Sequence, residues 1–197
     1  MILFGASGHA KVILDILRLN QEPVTAIYDD RAPYKLLNYQ VSQIDWQHLR
    51  TDDAYIISIG RNTTRKKLTK KLAGVLFGKA IHPKAIIDQT VRIGEGSVVM
   101  GGAVINSSVK IGKHCIINTA ASVDHDCVID DFVHISPHAT LSGNIQVGEG
   151  THIGSGAVVI PGIKIGKWAT IGAGAVIIRD VPDAVTVVGN PGRILDK

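Results

Sequence analysis

Between residues 91 and 130 the chain reads VRIGEGSVVMGGAVINSSVKIGKHCIINTAASVDHDCVID, and its aliphatic residues return at every sixth position. Stepping by six from Ile81 gives Ile87, Ile93, Val99, Ile105, Ile111, Ile117, Val123 and Ile129. The series then runs without interruption through Ile135, Leu141, Val147, Ile153, Val159, Ile165 and Ile171 to Ile177. Four residues after each stands a second series that is small or β-branched almost throughout: Ala85, Val91, Ser97, Ala103, Val109, Cys115, Ala121, Cys127, Val133, Ala139 and onward to Ala175. An α-helix repeats about every 3.6 residues and a strand about every 2, so neither accounts for this period. One large and one small inward position per hexad describes a parallel β-helix of hexapeptides, with three short strands in each triangular coil of roughly 18 residues. Residues 81–181 supply between five and six such coils, stacked ~4.8 Å apart as strands in any sheet are. Glycine often follows the aliphatic position, as in Ile93-Gly94, Ile111-Gly112, Val147-Gly148, Ile165-Gly166 and Ile171-Gly172, where a tight turn is expected.

The register assigns roles to residues that would otherwise suggest chemistry. Cys115 and Cys127 both fall in the small inward series and read as buried packing. Two cysteines are too few for a disulfide framework. Of eight histidines, His134 and His152 lie one coil apart and should stack, but no third histidine is placed with them as a zinc site would need, so no metal is expected. The chain has 197 residues, 45% of them hydrophobic, a formal charge of +4 and few aromatics. This composition fits a globular protein with mild attraction for small anions and argues against nucleic acid as a partner. No transmembrane run and no signal peptide is read in it, so a cytoplasmic location is expected.

Residues 1–80 follow another pattern. Met1-Ile2-Leu3-Phe4 is a short buried strand ending in Gly5-Ala6-Ser7-Gly8-His9, after which Ala10, Ile13, Leu14 and Leu17 share one helical face, with Lys11, Asp15 and Arg18 opposite. Strands are expected at Val24–Tyr28, closing with Asp29-Asp30, and at Tyr55–Ile59, closing with Gly60; a helix follows from about Thr63 to Ala73. This βαβ order predicts a small parallel sheet with ligands at the carboxyl ends of its strands. Gly5-x-x-Gly8 is a shortened dinucleotide fingerprint, so a nucleoside diphosphate suits it better than a dinucleotide. The helix-start amides, with His9, could hold phosphate, or the turn could merely pack strand on helix. Asp29 and Asp30 could accept hydrogen bonds from a uridine, or be solvated turn residues. Arg65, Lys66, Lys67, Lys70 and Lys71 read as a wet helix face. The domain expectation is 1–80 for a Rossmann-like nucleotide-binding unit and 81–197 for the β-helix with a short C-terminal tail.

Taken in order, GASGHAKV, the strand-terminal DD, ISIGRNTTRKKL, FGKAIHPKA, NTAASVDHDCVIDDFVHISPHATLSGNIQVGEG and VVGNPGRIL resemble bacterial sugar acetyltransferases of the sialic acid O-acetyltransferase family. Within it, the pattern is most similar to N-acetyltransferases acting on UDP-4-amino-4,6-dideoxy-N-acetylhexosamines, and the match spans the chain. The resemblance implies a Rossmann-like α/β domain followed by a left-handed β-helix, a homotrimer, acetyl-CoA as co-substrate, and a UDP-amino sugar as acceptor substrate. It implies substrate binding by Ser7, Gly8, His9, Asp29, Asp30, Gly60, Asn62 and Asn118, the last also able to position His125. Acetyl-CoA contacts fall on His134, Gly143, Ser155 and Ala173.

Acetyl transfer from a thioester needs a base to take the proton of the attacking group, and imidazole titrates in the right range. His125 stands outside both inward series, with Asp126 beside it to orient the ring and stabilise its protonated form. The resemblance places the Gly143 amide toward the thioester oxygen as charge develops. Three other readings remain at this level: transfer to a sugar hydroxyl, a carbonic-anhydrase-like β-helix enzyme, and a non-catalytic trimerisation scaffold, which would have no use for His125-Asp126. A serine acetyltransferase would open with a helical domain, unlike GASGH and its strands.

Overall fold

A computed structural model describes residues 1–195. The first unit is a five-stranded sheet in the order β3-β4-β2-β1-β5, built from β1 (Ile2–Phe4), β2 (Ala26–Tyr28), β3 (Tyr34–Leu36), β4 (Tyr39–Ser42) and β5 (Tyr55–Ile57). β1 lies parallel between β2 and β5, and α1 (Gly8–Leu19) and α2 (Asn62–Lys71) connect to the strand ends. The expected βαβ core is present. The β3–β4 hairpin was not expected: its residues, YKL and YQVS, mix polar and aromatic side chains with no clear alternation, and β3 pairs antiparallel at the sheet edge.

The remainder is a left-handed parallel β-helix. Its first face carries Ala80–Ile81, Val98–Val99, Ile116–Ile117, His134–Ile135, His152–Ile153 and Thr170–Ile171; its second runs from Ile86–Ile87 to Val176–Ile177; its third runs from Arg92–Ile93 to Lys164–Ile165. Up to the last coil each strand pairs with the one 18 residues on, as Ile116 and Ile117 pair with His134 and Ile135; Thr170 and Ile171 pair with Thr186 and Val187, 16 residues on. The second residue of each strand points inward and meets the small series in one continuous core. Cys115 and Cys127 are fully buried there as free thiols, and burial pushes the Cys115 thiol up to about 12. Polar members are satisfied: Ser97 donates to the Gly112 carbonyl and Thr151 to that of Gly166.

The coil corners correct one expectation. Glycines after the aliphatic position are needed for approach between coils and not for backbone twist: a Cβ on Gly94 would lie 2.6 Å from the backbone of Gly112, and one on Gly148 2.7 Å from that of Gly166. The left-handed residue comes two positions later, at Ser108, His114, Ala120, Asp126, Phe132, His138 and Asn144, all with φ between 52 and 63°.

The two units share one apolar cluster. Ala10, Ile13, Leu14 and Leu17 of α1 pack on Ala80, Val98, Met100 and Ile116 of the lower first face. The amide of Asn20 at the end of α1 donates to the Ile81 carbonyl. Arg65 corrects a second expectation. It is 1% exposed, held by backbone carbonyls of both units, and not part of a wet helix face. Lys66 pairs with Glu149 and lies over Trp168, whereas Lys67, Lys70 and Lys71 are exposed. No helix among the described residues is long and apolar enough to cross a membrane.

Candidate active site

Two groups of functional side chains occur, on opposite sides of the prism. The first is on the edge joining the second and third faces. His125 and Asp126 fill a corner there, with Asp126 at the left-handed position (φ 60°) that an Asp side chain tolerates. His125 Nδ1 lies 2.8 Å from Asp126 Oδ2, and the His125 amide donates to Asp124 Oδ1 at 2.8 Å. Asp124 is itself held by Asn106 Nδ2 at 2.7 Å. The hydrogen bond to Asp126, followed by the charge of Asp124, raises the His125 pKa above its ordinary value. With Nδ1 engaged, Nε2 is left to take a proton. One coil above, Gly143 lies against the ring: a Cβ there would stand 2.7 Å from both Cε1 and Nε2 of His125. Among the described residues the Gly143 N–H has no protein acceptor, so a free donor lies beside the His125 ring.

The second group lines a cleft where the first unit meets the first face. Ser7 precedes α1 in extended conformation without a side-chain cap, and no acidic residue occupies the first turn, leaving the helix N-terminal amides open to an anion. His9 at the same end of the helix is half-buried, its Nε2 buried and unpartnered; burial, and then the Arg65 charge, lower its pKa to about 4. Gly60, Asn62, His134, His152 and Trp168 line a cavity of about 470 Å³. Asn62 donates from Nδ2 to the Gly150 and Thr151 carbonyls at 3.0 and 3.2 Å, while its buried Oδ1 has no partner. His134 and His152 stack as their spacing implies, with ring centroids 4.9 Å apart and planes at 20°. Burial, and then the mutual repulsion of the pair, lower the His134 pKa to about 3. Asn118 Nδ2 faces His134 Nε2 at 3.1 Å and Ser136 Oγ faces His152 Nε2 at 2.7 Å. Among the described residues no three His, Cys, Asp or Glu side chains are gathered as a metal site.

The structure redistributes the residues expected from sequence. Asn118 reaches His134 and not His125 of its own chain. His134 joins the cleft of Gly60 and Asn62, whereas Gly143 stands on the His125 edge and the exposed Ser155 and Ala173 stand on the edge between the first and second faces. Asp30 is exposed. Asp29 is buried with its oxygens engaged: Oδ2 accepts from the Ala6 amide at 3.0 Å, and Oδ1 from the amide and Nε of Arg31 at 3.0 and 3.1 Å. Burial works to raise the Asp29 pKa, but the hydrogen bonds from Arg31 and Ala6 hold it below the usual carboxylate range. Asp29 therefore braces the Gly5–Ser7 turn. Arg65, Ser136 and His152 were missed; the placement of His152 was legible from its spacing, that of Arg65 was not.

Comparison with known proteins places these features in context. Residues 1–72 match the PglD N-terminal domain, and residues 144–179 match the bacterial transferase hexapeptide (six repeats). UDP-N-acetylbacillosamine N-acetyltransferase of Bacillus subtilis is 40% identical over 116 residues, an alignment spanning half of each chain. The structure of perosamine N-acetyltransferase from Caulobacter crescentus, a histidine-to-asparagine mutant in complex with CoA and GDP-perosamine, is 39% identical; it superposes with a TM-score of 0.94 over 100% of this chain and 96% of that one. The acetyltransferase domain of PglB from Neisseria gonorrhoeae, in complex with acetyl coenzyme A, is 37% identical with a TM-score of 0.92 over 98% of each chain.

Proposed function

The chain belongs to the sugar N-acetyltransferases that join a PglD N-terminal domain to a hexapeptide-repeat β-helix, and from that premise we propose that it moves the acetyl group of acetyl-CoA onto the 4-amino group of a UDP-4-amino-4,6-dideoxy sugar. The observation that carries the reading is the corner at which His125, oriented by Asp126, stands under the free Gly143 amide. Acetyl-CoA, when bound, supplies the activated carbonyl. As the amine nitrogen bonds to the acetyl carbon, His125 Nε2 takes its proton and the Gly143 N–H faces the oxygen on which negative charge develops; the C–S bond then breaks, and the departing CoA sulfur takes that proton to leave as the free thiol. The N-terminus of α1 with Ser7, Gly8 and His9 receives the diphosphate, and the unpartnered Asn62 Oδ1 accepts from the sugar. Ser155 and Ala173 flank the acetyl-CoA chain, whereas His134, given to acetyl-CoA by the resemblance, lies in the cleft with Gly60 and Asn62 and faces the sugar nucleotide.

The working unit in this reading is a homotrimer. The N-terminal unit covers the first face, while His125 occupies the prism edge opposite that face, so the acceptor bound by one chain meets the base of its neighbour. The outward column of the second face is Ile86, Val104, Ser122, Thr140, Val158 and Val176, without a charge, and Ile86 is 67% exposed. The third face carries Arg92, Lys110 and Lys164 and is the solvated one. We place the reaction in the cytoplasm, where Cys115 and Cys127 remain thiols.

The test is release of free thiol from acetyl-CoA with UDP- and GDP-linked amino and hydroxy sugars offered in parallel, with product mass as a second readout. Turnover with a UDP-4-amino sugar and an acetamido product supports the proposal. Turnover confined to GDP-sugars corrects the nucleotide, and an ester product or no thiol release with any acceptor overturns N-acetyl transfer.

A further inference from the structure

Among the described residues Arg65 is the largest fully buried side chain, and its hydrogen-bond partners there are all main-chain carbonyls. Nε donates to His114 O at 3.0 Å and Nη2 to Phe132 O at 2.9 Å; Nη1 donates to Gly60 O at 2.8 Å and Ile59 O at 3.1 Å. His114 and Phe132 are left-handed corner residues of successive coils. The next corner in that column is Gly150, whose carbonyl accepts from Asn62. The segment 59–65 therefore grips three consecutive corners of one prism edge. Burial lowers the Arg65 pKa to about 10, which leaves the guanidinium charged at neutral pH.

Burying a cation without a counterion is costly, and a structural tie between two units could be made by neutral groups. What only a guanidinium supplies is a rigid fork of donors aimed in several directions at once. Here those directions are two coils of the β-helix and the turn that closes β5. That turn carries Gly60 and Asn62 into the cleft, whose lining they share with His134. With the Asn118 amide nitrogen donating to Nε2, the His134 ring proton belongs on Nδ1, and the turn at Gly60 bounds the cleft beside that ring.

We propose that Arg65 is a positioning residue for the sugar nucleotide: by holding the Ile59–Gly60 turn against two coils at once, it fixes the width of the cleft in which Gly60, Asn62 and His134 present their polar atoms. This rests on the reading that the nucleotide sugar occupies that cleft. The role is distinct from that of a tie between units, because a tie would be served by any side chain that keeps them docked.

The test uses the full-length assembled protein with Arg65→Lys and Arg65→Met. Lysine keeps the charge but offers a single point of donation, which cannot reach the His114, Phe132 and Gly60 carbonyls together. Both variants should raise KM for the UDP-amino sugar by about tenfold or more, with KM for acetyl-CoA and kcat at saturation changed less than about twofold. Calorimetric affinity for UDP should fall in parallel, and hydrogen exchange at residues 59–63 should accelerate. Should Arg65→Met fail to assemble, Arg65→Lys carries the test alone. A lysine variant with wild-type KM, equal weakening of both substrates, or a loss of thermal stability without a change in KM would each overturn the assignment. Wild-type protein that binds no nucleotide sugar would remove the functional reading and this one with it, whereas wild-type binding beside an unaffected lysine variant would remove this one alone.

Discussion

The two units solve the same problem, burying an aliphatic core, in opposite ways. In the β-helix one local rule is repeated: an inward aliphatic residue, an inward partner that is small or β-branched and, from Gly96 to Gly174, a left-handed corner every six residues. In the first unit each element is used once, and its core is divided between a cluster shared with the β-helix and one of its own around Ile2, Phe4, Tyr55 and Leu68. The repeat yields a rigid frame with identical corners, on which a reactive side chain such as His125 can stand without disturbing the frame. The irregular unit yields open strand ends and a helix N-terminus suited to recognition. In the proposed function the chemistry falls on the repeat and selection on the irregular unit.

The largest effect should come from the repeat. His125→Ala is expected to lower kcat by ~10²–10⁴, the usual contribution of a general base, with nucleotide binding nearly unchanged. Near-full turnover in steady-state assays would break the comparison at its centre. A mixed assembly sharpens it: co-assembling His125→Ala chains with Gly8→Val chains should restore part of the activity that each lacks alone, because some interfaces then pair an intact base with an intact nucleotide cleft. No recovery on mixing would place both halves of the site in one chain.

Core truncation compares the frames themselves. Leu141→Ala on the prism axis, where Leu141 has no exposure, should cost about 2–5 kcal/mol by denaturant unfolding. Leu17→Ala, in the cluster that α1 shares with the first face, should cost a similar amount. A single shared transition for both variants would show the units unfolding together; two separate transitions would show the docking surface to be weak. In the first unit, Gly8→Val should raise KM for the nucleotide sugar roughly tenfold, about 1.4 kcal/mol, leaving acetyl-CoA unaffected, as paired saturation curves would reveal.

Two smaller effects depend on pH. His9, His114 and His134 have pKa values near 4, 4 and 3, depressed mainly by burial, so the unfolded chain binds protons that the folded one refuses. Their contribution to stability is present in full above the ordinary histidine pKa of about 6.5, declines as pH falls below it, and is gone once the folded pKa values are passed. Melting temperature should therefore fall progressively between about pH 6.5 and 4, and His134→Gln should flatten that slope. The His125 pKa is raised, and activity requires its neutral form, so the rate should climb with pH through that value. Asp126→Asn removes the first cause of the rise and should move the limb toward lower pH, while Asp124 retains part of it. An unmoved limb would remove Asp126 from the mechanism.

How far the sequence could be read follows from the same contrast. Ile81 through Ile177 declare the prism because each inward contact is made 18 residues away with the same register, so a one-dimensional period carries the three-dimensional neighbour. The stacking of His134 on His152 was legible for that reason, as was the outward placement of His125. Arg65 was not. In NTTRKKLTKK it is one cation among several, and only the docking of α2 on the prism edge decides that this one is buried while Lys67 and Lys70 stay wet. Asp29 misled in a similar way, since a strand-end carboxylate looks the same whether it awaits a ligand or, as here, is taken by Ala6 and Arg31.

The left-handed corners at six-residue intervals also govern how such a molecule can change in length. A residue or two added within a coil has nowhere to go but outward at a corner, as a decoration beside an otherwise unaltered wall. Raising the His125 corner away from the cleft of Gly60 and Asn62 requires a whole storey of eighteen residues, about 4.8 Å of height. The reach between base and recognition unit is therefore graduated like a ruler, and a relative that accommodates a bulkier sugar must either count in storeys or reshape the loops of its irregular unit.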